Sequence, residues 1–226
     1  MPGTGPPSAG RTVVLAGATS AAGAALVRTL LEAGMRVVAT GRDPHRLAGL
    51  ADAVGGPAPG STLRTVQADA TSFEDMSALT ERLTEVDAVI PLVGGWRGAQ
   101  GIAGQGDADV AALLPAFQAV RATSRAFDAA LRAAPAGRFA IVSSTAVAHP
   151  QADTATYASF KAASETWTRA VAQGYEAAAL ASGGPLRAAA LVLRARGTLD
   201  PDSLARAVLA LWDLEAATLN GSIREL

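Results

Sequence analysis

Between residues 11 and 226 short β-branched runs alternate with longer stretches in which apolar residues return every three or four positions. That alternation is the strongest constraint on the fold. Parallel strands need a long crossover between them, and a helix supplies it while covering one face of the sheet. The strand candidates are RTVVLAG (11–17), MRVVAT (35–40), LRTVQAD (63–69), VDAVIPLV (86–93), GRFAIVSS (137–144) and LRAAALVL (186–193), with GSIREL at the C-terminus as a seventh. One helix ends at Gly34, and the period places others at about 72–84, 107–134, 153–182 and 201–217. No internal repeat and no Pro/Ser linker interrupts the series. The expectation is a single α/β domain over 11–226: a doubly wound parallel sheet of about seven strands with helices on both faces. The first ten residues, MPGTGPPSAG, lack a basic segment and an apolar segment, so they read as a flexible tail and not as a signal peptide.

Composition removes several classes of function. A formal net charge of -1 gives no electrostatic reason to expect nucleic acid or an anionic membrane as a partner. The absence of cysteine excludes disulfides, thiolate nucleophiles and cysteine metal sites. His45 and His149 stand far apart and form no HxH or HExxH spacing, so no metal is expected. No run of about 18 apolar residues suggests a membrane span, and a cytoplasmic protein is the expectation. The chain is rich in Ala, Gly and Arg, the imprint of a GC-rich genome, and among its 19 Lys and Arg residues Lys161 is the one lysine. Against that background a lysine four residues after Tyr157 is informative.

The first chemical signal is AGATSAAGAAL (16–26), where the first strand turns into the first helix. Binding a dinucleotide pyrophosphate takes a tight turn, a close backbone approach and the positive end of a helix. Gly17 and Gly23 bracket the turn, Ala21 and Ala22 lie between them, and Thr19 and Ser20 carry hydroxyls suited to phosphate. Standing alone, such a turn arises as often from packing. Its spacing resembles the TGxxxGxG motif of the short-chain dehydrogenase/reductase family, with Ala16 in place of Thr and Ala21 in place of the middle Gly. The resemblance continues in order along nearly the whole chain and implies a Rossmann-type fold. Asp69 and Ala70 follow the third strand, where the family sets an aspartate against the adenine ring. DAVIPLVGG (87–95) ends where the family has NNAG, of which Gly94 alone survives. Ser144 precedes Tyr157 by the family's thirteen residues, and Tyr157 and Lys161 form its YxxxK.

Side chains four apart on a helix share a face, so Tyr157 and Lys161 can meet one ligand. A phenol of pKa near 10 is a weak proton donor or acceptor at neutral pH, and an adjacent ammonium is expected to lower that value. Arginine would supply charge but neither proton transfer nor the compact shape. The resemblance implies further that Lys161 bonds the nicotinamide ribose and that Ser144 positions the substrate.

Departures from the pattern are equally specific. The only asparagine is Asn220, so neither the NNAG asparagines nor the family's fourth-helix asparagine is present. Counting back from Ser144 puts that helix position at about 116–118, where Gln118 is a substitute for holding a water and Pro115 a source of a kink. PGxxxT after the sixth strand is missing as well; Thr198 in LVLRARGTLDPD stands as a replacement toward the cofactor amide. GGW (94–96) and TLD (198–200) are similar to stretches of the dihydropteridine reductase branch, too short to assign a pterin.

The end of the second strand, VVATGRDP, bears on the cofactor. An NAD site places a carboxylate there for the ribose hydroxyls, whereas an NADP site has a small residue followed by arginine for the 2'-phosphate. Gly41-Arg42 fits the second arrangement and favours NADP(H) over NAD(H). Asp43 has two readings: the N-cap of a helix starting at Pro44, or a ribose ligand if the strand runs longer. His149, Trp96 and Arg97 border the expected substrate side without an assigned role, and the glycines of GGWRGAQGIAGQGD (94–107) suggest mobility.

The leading expectation is an NADP(H)-dependent reductase of a small carbonyl or imine, or the reverse oxidation, with Tyr157 as proton donor, Ser144 positioning and Lys161 tuning. Alternatives are a non-redox elimination or cyclisation on the same fold, and a nucleotide-binding protein without efficient turnover. Alanine-rich helices at 107–134 and 153–182, together with the resemblance, imply a homodimer or homotetramer with twofold symmetry.

Overall fold

The computed structural model describes residues 8–55 and 59–226. Seven strands, β1 (Thr12–Ala16), β2 (Arg36–Gly41), β3 (Thr62–Gln67), β4 (Ala88–Pro91), β5 (Arg138–Ser144), β6 (Ala189–Ala195) and β7 (Ile223–Glu225), form one sheet in the order β3-β2-β1-β4-β5-β6-β7. Every pairing is parallel. The chain winds outward from β1 to β3, then crosses back over β1 to build β4 to β7. Crossovers leave β1 in opposite directions, and the gap this opens at the C-terminal ends of the strands is where such sheets bind ligands.

Among the described residues seven helices cover the two faces: α1 (Ala21–Glu32), α2 (Pro44–Val54), α3 (Phe73–Thr80), α4 (Asp107–Ala133), α5 (Ala155–Ser182), α6 (Pro201–Leu209) and α7 (Ala216–Leu219). In β1 the side chains of Val13 and Leu15 enter the layer shared with α1, α2, α6 and α7, while Val14 and Ala16 enter the layer shared with α3, α4 and α5. A strand covered on both sides is apolar at nearly every position, which is why the central strands read as continuous runs, while the edge strands β3 and β7 are largely exposed.

Three elements differ from the sequence expectation. α2 starts at Pro44, as the capping reading of Asp43 had it, and runs to Val54 across the crossover between β2 and β3, an extent the helical period did not mark; Leu47, Leu50 and Val54 are its buried face. The sixth strand begins at Ala189 and not at 186, because β5 starts at Arg138 and the ladder is set by Arg138 opposite Ala189. The helix expected at 201–217 breaks into α6, a 3-10 turn over Ala210–Trp212, and α7.

Residues 1–7 of the expected tail lie outside the described residues. Within its last three positions Ser8 is buried and the Gly10 N–H donates to Gly34 O at 2.9 Å. The single asparagine serves the fold: Asn220 donates to Ala172 O and Glu176 Oε1 on α5, at 2.9 and 3.0 Å, and accepts the Ala190 N–H of β6 at 3.0 Å. Among the described residues no helix is long and apolar enough to cross a membrane.

Candidate active site

β1 ends in a turn stitched to β2: the Gly17 N–H donates to Thr40 Oγ1 at 3.1 Å and the Ala18 N–H to Thr40 O at 2.9 Å. Gly17 has φ +86°, a conformation that strains any residue with a Cβ, and a Cβ there would lie 2.6 Å from Val93 Cγ2. Ser20 caps α1 by accepting the Gly23 N–H at 3.1 Å, which leaves its own O–H as a donor on the cleft wall. Gly23 is buried and packs against the Ala18 carbonyl. The N–H groups of Ala21 and Ala22, in the first turn, have no acceptor within the helix and stand at its positive end.

A cleft of about 480 Å³ opens above this turn, a size typical of small-molecule sites. Its walls bring together Gly17, Thr19, Ser20, Arg42, Asp69 and Gly94, with Ala70 beside Asp69. Asp69 Oδ1 accepts both the N–H and the hydroxyl of Thr71, at 2.9 and 2.8 Å, which holds the carboxylate at the end of β3. Asp43 resolves in favour of its capping role: Oδ1 accepts the N–H groups of His45 and Arg46 at 2.8 and 3.3 Å. Arg46 is a cleft residue that the sequence reading passed over. It lies one turn into α2 with Nη2 on Thr19 O at 2.8 Å, and an arginine four residues after Arg42 behind an Asp-Pro cap was the available signal.

At the end of β5, further along the same edge, Ser144 starts a 3-10 turn, Thr145–Val147, and its hydroxyl accepts the Ala146 N–H at 3.2 Å. Tyr157 and Lys161, both half-buried, lie in the first two turns of α5. The Ser144 hydroxyl is hydrogen-bonded to the Tyr157 phenol. Lys161 Nζ donates to Val142 O at 2.8 Å and sits 5.7 Å from the centre of the Tyr157 ring. Burial lowers the pKa of the ammonium from 10.5 to about 8. One expectation fails here: the phenol pKa lies above its ordinary value, because burial penalises the phenolate more than the Ser144 hydrogen bond favours it. The charge of the ammonium beside the ring does not outweigh that burial.

The glycine-rich stretch expected to be mobile is fastened in front of α5. Asp153 O accepts the Ala99 N–H at 2.9 Å and Gln105 Nε2 at 3.0 Å, and Asp153 Oδ1 accepts the Gly101 N–H at 2.7 Å. Gln105 Oε1 in turn accepts the Thr156 N–H at 3.0 Å, satisfying a first-turn donor of α5. Trp96 is 68% exposed on this loop. Gln118 is exposed and not on the cleft wall, whereas Pro115, inside α4, is part of that wall. Thr198 lies exposed in the turn after β6, outside the cleft wall, and His149 is exposed. Among the described residues no three His, Asp or Glu side chains gather as metal ligands would.

Residues 11–180 match the family model described as short chain dehydrogenase. No curated protein matches the chain in sequence. Solved structures resemble it closely in shape at low identity. A short-chain type dehydrogenase/reductase from Mycobacterium ulcerans superposes with TM-score 0.83 at 16% identity, over 96% of this chain and 88% of that one. The NADPH-bound short chain oxidoreductase of Pseudomonas aeruginosa PAO1, which contains an atypical catalytic center, gives 0.82 at 20% identity over 96% and 95%. A short chain dehydrogenase from Escherichia coli CFT073 complexed with NADPH gives 0.79 at 18% over 96% of each chain. These likenesses establish the fold, and the family model spanning residues 11–180 establishes kinship: the chain belongs to the short-chain dehydrogenase/reductase family.

Proposed function

We propose that this protein is a cytoplasmic NADP(H)-dependent oxidoreductase that reduces a carbonyl or imine of a small molecule, or runs the reverse oxidation, with Tyr157 as the proton donor. The observation that carries the reading is adjacency: the cleft over the ends of β1, β2 and β4 and the Ser144, Tyr157 and Lys161 cluster at the end of β5 share one edge of the sheet. The resident residues fit a dinucleotide. Gly17 makes the tight turn beside Val93 that a Cβ would crowd, and the N–H groups of Ala21 and Ala22 at the start of α1 suit a diphosphate. Arg42 and Arg46 present two guanidinium groups where a 2'-phosphate would lie, and Asp43 has its carboxylate turned to the helix. The NADPH held by two of the structural neighbours supports a nicotinamide cofactor of this kind.

When bound, the nicotinamide exchanges hydride with the substrate carbon. The chain's own residues handle the proton. Ser144 holds the substrate heteroatom by hydrogen bonding, the Tyr157 hydroxyl gives its proton to that atom as the carbon is reduced, and Lys161 supplies the positive charge beside the resulting phenolate. A raised phenol pKa suits a proton donor, which stays protonated through neutral pH. Self-association through α4 and α5 as a homodimer or homotetramer belongs to the same reading and is judged by mass in solution.

Two measurements follow. Fluorescence titration is expected to show tighter binding of NADPH than NADH, and Arg42→Ala narrows the gap by about 1.5–3 kcal/mol, the range for a hydrogen bond to a charged group. Equal affinities in the unaltered protein overturn the NADP assignment. The reductive rate at saturating NADPH is expected to hold through neutral pH and fall as pH rises through about 8, where Lys161 loses its proton. Only the charged form steadies the phenolate, so a rate that stays level well above that pH removes the lysine charge from the mechanism.

A further inference from the structure

One turn beyond Lys161 on α5 lies Glu165, a carboxylate with 2% of its surface exposed. A buried carboxylate must be paired or protonated. Oε1 accepts the Ser143 hydroxyl at 2.6 Å and Arg194 Nε at 2.8 Å, and Oε2 accepts Arg194 Nη2 at 2.6 Å. Two-point pairing with a guanidinium, reinforced by a hydroxyl, satisfies both carboxylate oxygens. Ser143 immediately precedes Ser144 on β5 and lies in register with Arg194 on β6. Glu165 therefore fastens together the strand that carries Ser144, the helix that carries Tyr157 and Lys161, and the neighbouring strand. Neither the hydride step nor the proton step uses it. An apolar pair of similar volume would fill the space with equal or greater stability, so the charge itself calls for a role.

We infer that Glu165, fastened by Arg194 and Ser143, is a positioning residue for Lys161: it sets a buried carboxylate one helical turn from the ammonium, on the same face of α5. Tyr157, Lys161 and Glu165 follow one another at four-residue intervals, the spacing that stacks side chains along a helix. Burial pulls the ammonium toward deprotonation, and Glu165 is the group that opposes it. The other charged groups around the site are few. From β5 Lys161 takes the Val142 carbonyl, and no charged side chain of that strand faces it. On β6 the nearest charge is Arg194, spent on Glu165, with Glu225 of β7 beside it in register. On α4, Arg121 lies over the rings of Phe117 and Trp167, and Asp128 and Arg132 pair with each other near Tyr175. The carboxylate of Asp153, ahead of α5, is taken by the Gly101 N–H.

This inference rests on the reading of Lys161 given above, but its test needs no turnover. Because Lys161 is the only lysine, protein grown with 13C-labelled lysine gives one lysine side-chain signal, and its NMR titration reports the protonation of that residue directly. Glu165→Gln is expected to move the midpoint downward by about one pH unit, the usual effect of removing an adjacent opposite charge. A purely structural role predicts the reverse, since a loosened α5 admits water and returns the midpoint toward 10.5. Should Glu165→Gln fail to fold, the paired change Glu165→Leu with Arg194→Leu removes both charges without leaving either unpartnered, and because Arg194 opposes Glu165 at Lys161 a smaller downward movement is expected. An unchanged or raised midpoint in a folded variant overturns the inference. If the midpoint falls and no carbonyl or imine is reduced by the unaltered protein, the charge relation stands and the reductase reading is the part that fails; where reduction is seen, the alkaline limb of its pH profile moves with the midpoint.

Discussion

Tyr157→Phe is expected to lower turnover by about 10²- to 10⁴-fold while leaving cofactor affinity in place, the range for loss of a general acid. The change keeps the ring and removes only the hydroxyl that Ser144 bonds, so the fold should persist. Lys161→Arg is the sharper test because the charge is retained. Lys161 Nζ reaches Val142 O at 2.8 Å from a half-buried position, and a planar guanidinium is too broad to repeat that contact while facing the same ring. A loss comparable to Tyr157→Phe is expected if a compact ammonium that bonds ribose and steadies the phenolate is required; near-full activity would mean that charge alone suffices. Ser144→Ala should do less harm than either, since the serine positions and does not transfer the proton. Turnover can be followed with any reactive dione or quinone that the protein reduces. Unaltered rates in folded Tyr157→Phe and Lys161→Arg would bring forward the binding-protein reading.

How much of this was legible in the residues depends on the kind of interaction. Strands buried on both faces announce themselves as apolar runs, as β1, β2, β4 and β5 do, whereas β3 and β7 are largely exposed and were legible only through β-branched residues and their place in the series. The start of β6 was not legible, since Ala189 pairs with Arg138 across the sheet and nothing local marks it. Ser144, Tyr157 and Lys161 were visible through fixed spacings along one strand and one helix. Arg46, Glu165 and Arg194 were not, because their partners lie 27 and 29 residues away and become neighbours only through the fold. The direction of the Tyr157 shift was misread for a related reason. A spacing of four residues says that an ammonium is near, but the carbonyl that holds it and the burial that outweighs it are properties of the packed site. Glycines in 94–107 suggested mobility from composition alone, while Asp153 and Gln105, which fasten that stretch, look ordinary in sequence.

Gly23→Ala is expected to cost on the order of 3 kcal/mol in stability, the upper range for overpacking a filled site, and a lowering of Tm by roughly 6–12 °C for a chain of this size. The glycine lies inside α1 at an ordinary helical conformation, so the cost is not one of backbone freedom. A Cβ there would overlap the Ala18 carbonyl, which belongs to the turn and has no side-chain torsion by which to move away. Either α1 tilts from β1 or the turn opens. Both displace the Ala21 and Ala22 N–H groups, so cofactor affinity should fall by roughly tenfold or more, given how steeply function depends on placement. Gly17→Ala makes the contrast. Its Cβ would meet the Val93 side chain, which can turn, and press less severely on the Val93 N at 3.3 Å, in addition to the strain of φ +86°, about 1–2 kcal/mol. Thermal unfolding of the two variants side by side checks the argument: a Gly23→Ala protein as stable as the unaltered one, or less damaged than Gly17→Ala, would mean that the close approach of α1 to the turn is not what this glycine provides.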